Sequence, residues 1–457
     1  MNFNLKDYKH IYMVGIGGIS MSGIAEILKN WHYEVSGSDS TKSNQTDWLE
    51  ANGIHVNIGQ KEENITSNID LVVYTAAVKQ DNPELVKARE LNIPTVERGF
   101  FLGQITKLFK NTIGIAGTHG KTSTTSMVAS AFLEAGYDPS IQVGAYLKRI
   151  NGNYKVGNSE YFIIEACEYC ESYLNFYQKS AIVLNIDDDH LDYFKNIDNI
   201  QHSFEKYVAK LPSDGFLIIN RDDERCYELR NHTDAKVITV GKTPEADWTY
   251  QDLIFDENGF PTYVALKNGT VKGTISLKVA GLHNVFNSLC CLALCDAYGI
   301  NTTTVNKALQ TFDGAARRLE YKGMFNGAKV FDDYGHHPTE IMATVNGIKN
   351  KKYKESWVDF EAHTYSRLQA HLKEFAKALV NFDHIIIIDT YAARETNTFN
   401  ITEEDLIKEI NNLGKEAIHI KSHNDVVNYL KDRVKNSDLV LTLGAGNVTK
   451  IASLLVK

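Results

Sequence analysis

Ile115-Ala-Gly-Thr-His-Gly-Lys-Thr122 is the stretch on which the reading of this chain turns. It follows a strand-like run, NTIGIAG at 111–117, and precedes helical periodicity in SMVASAFLEAG at 126–136. A glycine-rich turn between a strand and a helix is what a phosphate-binding loop needs, because glycines bring backbone N–H groups close to phosphate oxygens and the helix N-terminus adds positive potential. Gly117, Thr118, His119, Gly120, Lys121, Thr122 and Ser123 are therefore the candidate phosphate-binding residues, with Lys121 reaching the terminal phosphates of a nucleotide and Thr122 holding Mg²⁺. The strict form of the motif has glycine where this chain has Ile115. The competing reading is a glycine-rich turn with no ligand.

Outward from the loop, short apolar runs alternate with helical stretches, the pattern of βαβ units and a mostly parallel sheet. The pattern restarts twice, and 457 residues suit about three domains of roughly 150 residues each. We expect an α/β chain: a Rossmann-like domain at 1–108, a central P-loop domain at 109–313 and a Rossmann-like C-terminal domain at 314–457. The first block holds HIYMVGIGG, YEVSGSD and DLVVYTAAV; the second holds YFIIEAC, SAIVLNID and FLIIN; the third holds KVFDDYG, SWVDF, HIIIIDTY and LVLTLGAG.

A formal charge of -9 argues against a protein that coats nucleic acid or an anionic membrane. The first ten residues carry no apolar signal core and no apolar run is long enough to span a bilayer, so a cytoplasmic address is expected. Six cysteines in so long a chain do not form a disulfide framework, and the lone CxxC of Cys167 and Cys170 lacks a second ligand pair.

A phosphate loop alone does not separate a ligase from a GTPase, a kinase or a motor; the acids decide. Glu165 ends the strand YFIIEAC and His190 follows the strand AIVLNI, so both project from carboxyl ends of strands, where open α/β sheets bind ligands. With Thr122 they could hold one or two Mg²⁺ ions. The competing reading for Glu165 is a strand-end acid paired with a lysine. For Asp187, Asp188, Asp189 and Asp192 it is a solvated acidic loop.

In the first domain, Gly15, Gly17 and Gly18 form a turn ahead of Ser20, but the third glycine of a dinucleotide fingerprint is missing. Such a turn suits any pyrophosphate, and Asp39 at the end of the second strand could accept nucleotide hydroxyls. A nicotinamide enzyme would use Asp39 for its ribose and leave Lys121 unexplained.

Nine pieces in order, GIGGISMSG, GSD, GTHGKT, NIDDDHLD, GLHNVFN, GAARRLE, DDYGHHPTE, HTYSR and LGAGN, resemble the Mur ligase family across nearly the whole chain, including its shorter GTxGKT loop. The resemblance implies an ATP-dependent ligase of peptidoglycan precursor synthesis. It implies that the lactyl carboxylate of UDP-N-acetylmuramate attacks the γ-phosphate of ATP and that L-alanine captures the acyl phosphate. It implies Mg²⁺, with Mn²⁺ as a substitute, and a monomer or homodimer.

By the same resemblance the first domain binds the UDP-sugar through Gly15, Gly17, Gly18, Ser20 and Asp39. Asn284, Asn287, Arg317 and Arg318 contact ATP, and Arg318 and Asp333 join Lys121, Glu165 and His190 as catalytic residues. His336, His363 and Arg367 bind the amino acid, a guanidinium fork suiting its carboxylate. Helix capping is the competing reading for Asn284, and a loop role the competing one for His336 and His337. The sequence departs from the family pattern at ACEYCES after Glu165 and at FEAHTYSR. The rivals are a recycling ligase that adds a preformed peptide to the same sugar, an NAD-dependent oxidoreductase, and a nucleotide-dependent switch.

Overall fold

The computed structural model describes residues 3–393 and 395–457; Met1, Asn2 and Arg394, and the side chain of Asp192, lie outside the described residues. The chain forms two compact units, one of Met1–Ala246 with Cys290–Asn301, the other of Asp247–Leu289 with Thr302–Lys457.

The first unit carries two parallel arrangements. The strands His55–Ile58, Glu34–Asp39, His10–Val14, Leu71–Tyr74 and Thr95–Glu97 lie side by side in that order, all parallel. His10–Val14 is buried along its length, which is why HIYMV reads as a continuous apolar run rather than an alternating one. The second arrangement centres on Asn111–Ala116, again wholly buried, with Ser180–Val183 on one side and Tyr161–Glu165 on the other. Phe216–Asn220 and Lys236–Val240 extend it beyond Ser180–Val183. Ser140–Leu147 flanks Tyr161–Glu165 in parallel, and Gly152–Lys155 turns back antiparallel. Because the two neighbours of Asn111–Ala116 come later in sequence on opposite sides, the carboxyl ends of all three strands open into one crevice. This is where such sheets bind ligands.

The helix after the loop runs Lys121–Glu134, so it begins five residues before the apolar periodicity suggests. Its first turn, KTSTT, is polar and carries no apolar periodicity to read.

In the second unit the strands Glu320–Phe325, Ala328–Asp333, Leu439–Leu443, Ser356–His363, His384–Tyr391 and Ala417–His419 form one sheet, parallel except for the first pair. The same unit holds an antiparallel meander, Trp248–Phe255, Pro261–Lys267 and Thr270–Ser276. The sequence analysis named no strands in this stretch of the central block. The signal was present: Asn268 and Gly269 both take positive φ, 49° and 72°, in the two-residue turn that Asn-Gly favours. Among the described residues no helix is long and apolar enough to cross a membrane.

Candidate active site

Gly117 and Gly120 adopt φ of 130° and 86°, which side chains rarely tolerate, and a Cβ at Gly117 would stand 3.0 Å from the backbone N of Leu184. The loop is pinned by the neighbouring strand end. Thr118 N–H donates to Asn185 O (3.1 Å), His119 N–H donates to Asn185 Oδ1 (2.8 Å), and Asn185 Nδ2 returns a bond to His119 O (3.1 Å). Gly120 is the N-cap of the 14-residue helix and supplies no side chain to cap it, so the first-turn N–H groups are available to an anion. Ser123 follows half-buried in that turn.

Thr122 Oγ1 donates to Glu165 Oε1 at 3.1 Å, and Gly144 N–H donates to Glu165 Oε2 at 2.7 Å. Two hard oxygen donors, a hydroxyl and a carboxylate, beside a phosphate loop fit Mg²⁺. His190, expected to complete this group, takes a left-handed φ of 54° and packs on the Tyr169 ring (4.7 Å between centroids) and toward Asp189 (3.8 Å). Neither Thr122 nor Glu165 is among its contacts.

The acidic loop is not merely solvated, which corrects that reading of Asp187 and Asp189. Asp187 Oδ2 lies 3.0 Å from His119 Nε2, and its N–H donates to Thr118 Oγ1 (2.9 Å). Asp189 is buried and accepts the N–H of His190 (2.7 Å). Sequence reasoning also missed Glu168, which lies 2.8 Å from the ammonium of Lys121. Its only sequence signal was an acid three residues after Glu165, inside the run that departs from the family pattern.

In the first domain Gly15 takes φ 82° and its N–H donates to Ser38 O (2.8 Å), while Gly18 caps the helix Ile19–Asn30 without a side chain. Asp39 Oδ2 accepts the N–H of Gly17 (3.0 Å), so this acid orders the glycine turn itself. A Cβ at Gly17 would meet that oxygen at 2.8 Å. Ser20 Oγ accepts from Arg98 (3.2 Å) and Gln142 (3.1 Å).

In the second unit the adjacent arginines separate. Arg317, at φ 58°, donates from Nε to Asp332 (3.2 Å) and from its other nitrogens to the carbonyls of Gly444, Ala445 and Gly446. Its guanidinium thus shapes the LGAGN turn. Arg318 stands 3.8 Å from Glu340 and over the Tyr334 ring. Asp333 accepts from Leu319 N–H (2.6 Å) and Gly335 N–H (2.8 Å). Burial pushes its carboxyl up to about 6, against the pull of Arg318 and those N–H groups.

His363 and Arg367 come together, Nδ1 to Nη1 at 3.2 Å, and the ring of His336 lies 5.7 Å from that of His363. The three expected amino-acid ligands therefore share one place. His337 instead caps the helix Pro338–Lys349, accepting the Thr339 N–H (3.3 Å). Asn284 does not cap its helix, which starts at Leu282; it donates to Ala280 O (2.8 Å) and accepts from Asn287 (3.2 Å). Glu361, where FEAHTYSR departs from the family pattern, accepts the N–H of Val448 (3.2 Å) and so ties down the same LGAGN turn.

Residues 115–295 match the Mur ligase middle domain, 10–110 the Mur ligase family catalytic domain, and 317–446 the Mur ligase glutamate ligase domain. The chain is 47% identical over 449 residues to the UDP-N-acetylmuramate--L-alanine ligase of Lachnospira eligens, covering 98% of each. To the enzyme of that name from Acetivibrio thermocellus it is 44% identical, over 98% of this chain and 96% of the other. Among solved structures, the UDP-N-acetylmuramate-alanine ligase of Thermotoga maritima superposes with a TM-score of 0.82 at 28% identity, covering 98% of both chains.

Proposed function

The chain belongs to the Mur ligase family, and on that premise we propose that it joins L-alanine to the lactyl carboxylate of UDP-N-acetylmuramate, converting ATP to ADP and phosphate. The observation that carries the ligase chemistry is the set Lys121, Thr122 and Glu165 at an uncapped helix N-terminus. The choice of alanine is supported by the likeness to alanine ligases over nearly the full length.

A carboxylate approaching the γ-phosphate meets like charge, and the reaction waits on its neutralisation. Lys121 and the first-turn N–H groups supply fixed positive charge there. Mg²⁺, held by Thr122 and Glu165 and by the phosphates, would screen the remainder and orient the γ-phosphate. A lactyl oxygen forms a bond to phosphorus as the bond to the ADP oxygen breaks, leaving an acyl phosphate. The alanine amine then attacks the acyl carbon, and inorganic phosphate leaves with the electron pair of the broken C–O bond. Arg367, oriented by His363, takes the alanine carboxylate, and Arg318 offers a guanidinium to phosphate.

The test is ADP release from ATP and Mg²⁺ with UDP-N-acetylmuramate and L-alanine added separately and together. Release only with both is expected. Release with a preformed peptide but not with alanine would replace this reading by the recycling ligase, and release without any acceptor would leave only a nucleotide switch.

A further inference from the structure

Lys121 is the cation on which the loop chemistry depends, and in the structure its charge is already answered from within the chain. Nζ donates to Gly117 O (2.6 Å), Thr118 O (2.9 Å) and Glu168 Oε1 (3.0 Å), with Glu168 Oε2 at 2.8 Å. An ammonium has three protons, so each is committed. The pair is enclosed, the lysine side chain 14% exposed and the glutamate 2%. Burial is the largest influence and works to depress the lysine's pKa, but the charge and hydrogen bond of Glu168, together with Cys167 and Glu165, outweigh it and hold the ammonium above its ordinary value.

The turn that carries Glu168 is held in a demanding shape. Cys170 and Glu171 both take left-handed φ of 53°, which non-glycine residues adopt at a cost and keep only where their surroundings enforce it. The enforcing contacts are Glu171 N–H to Glu168 O (2.8 Å), Ser172 Oγ to Cys167 O (3.0 Å), and the Glu171 carboxylate with Lys206 and Tyr193 (3.3 Å each). So much local constraint spent to set a carboxylate against the loop lysine points to a task beyond packing.

We propose that Glu168 is a positioning counter-ion for the phosphate loop: it draws Lys121 back onto the loop carbonyls, and nucleotide phosphates take the ammonium by exchange. The lysine keeps its proton throughout; only its anionic partner changes. Glu168 then lowers nucleotide affinity, both by competing for Lys121 and by placing negative charge near the phosphates, and so hastens the departure of ADP. The inference rests on the nucleotide-binding reading of the loop given above.

The experiment is calorimetric titration of the full chain with Mg·ADP, comparing the unaltered protein with Glu168→Gln, Glu168→Met and Glu168→Asp, each checked for folding by thermal melting. Glu168→Gln is expected to bind Mg·ADP about five- to tenfold tighter, with slower ADP dissociation. Glu168→Asp keeps the charge and should stay within about twofold of the unaltered chain. Glu168→Met, uncharged and of similar length, should tighten binding like Gln and serves if Gln does not fold. Damage to a merely structural contact would loosen binding, so the sign decides. Equal or weaker binding by the neutral variants overturns the proposal, as does Asp tightening as much as Gln. If the unaltered chain binds no Mg·ADP at all, the nucleotide reading itself has failed instead.

Discussion

The acids beside the phosphate loop and the acids of the C-terminal sheet are both drawn out of water, but they are answered differently. Glu165 has a hydroxyl and a backbone N–H, and Glu168 has an ammonium. On the C-terminal sheet Asp332 is treated equally well, by Arg317, Thr442 and Thr449. Its neighbour Asp333 has two backbone N–H groups, and burial raises its carboxyl to about 6. Asp359, at 0% exposure, has no hydrogen-bond partner for either oxygen among the described residues, and burial pushes it up to about 8. It lies in register with Thr442, whose hydroxyl donates to Asp332 instead (2.6 Å). Burial thus raises Asp359 further than Asp333, whose carboxyl Arg318 and two N–H groups hold back.

The largest break in this comparison comes at Lys121. Lys121→Ala should cut ADP release by about a thousandfold or more, read in a coupled assay. It also strands Glu168, which should cost about 3 kcal/mol in chemical denaturation. The double variant Lys121→Ala with Glu168→Gln should recover most of that stability and none of the activity. If it recovers activity, the lysine is not the phosphate ligand.

Asp359 gives the converse result, because here the acid rather than its loss is the burden. Below about pH 4 it is protonated in folded and unfolded chains alike and costs little. As pH rises toward 8 the unfolded chain ionises while the folded one holds its proton, so stability falls across that window and levels above it. Asp359→Val should therefore stabilise the chain by about 2 kcal/mol at pH 8, and the gain should shrink toward pH 4. Urea midpoints for both proteins at several pH values read this directly; a gain that does not vary with pH would mean that Asp359 is charged in the folded state.

Asp333 lies between these extremes and brings the smallest effect. Its folded carboxyl, raised to about 6, takes a proton as pH falls through that value, so kcat/KM for ATP should drop about tenfold per unit below pH 6. Asp333→Asn should be slower at neutral pH and lack that limb.

Much of the site was legible because its spacing is local. Gly117, Gly120, Lys121 and Thr122 are set by one strand-to-helix turn, and Glu165 by its place at a strand end. Thr122 and Glu165 come together as their strand and helix ends suggest, while His190 faces Tyr169 and Asp189. Arg317 and Arg318 are neighbours of the same type, and a positive φ at Arg317 sends one into the LGAGN turn and leaves the other beside Glu340. No spacing rule separates them. In the meander after Asp247 the two outer strands expose many side chains, and only the middle one, Pro261–Lys267, carries a short apolar run.

The sequence by itself determined the family, the α/β class and the glycine-rich turn between strand and helix, because each is carried by residue types at short fixed intervals along the chain. Only the tertiary structure decided that Glu168 answers Lys121 from 47 residues away, that Asp187 holds His119 from 68, and that Asp359 meets no hydrogen-bond partner among the described residues. The reason is physical: whether a buried charge is paired depends on which strands lie side by side and in what register, and that pairing is made by the folded sheet rather than by neighbours in the chain.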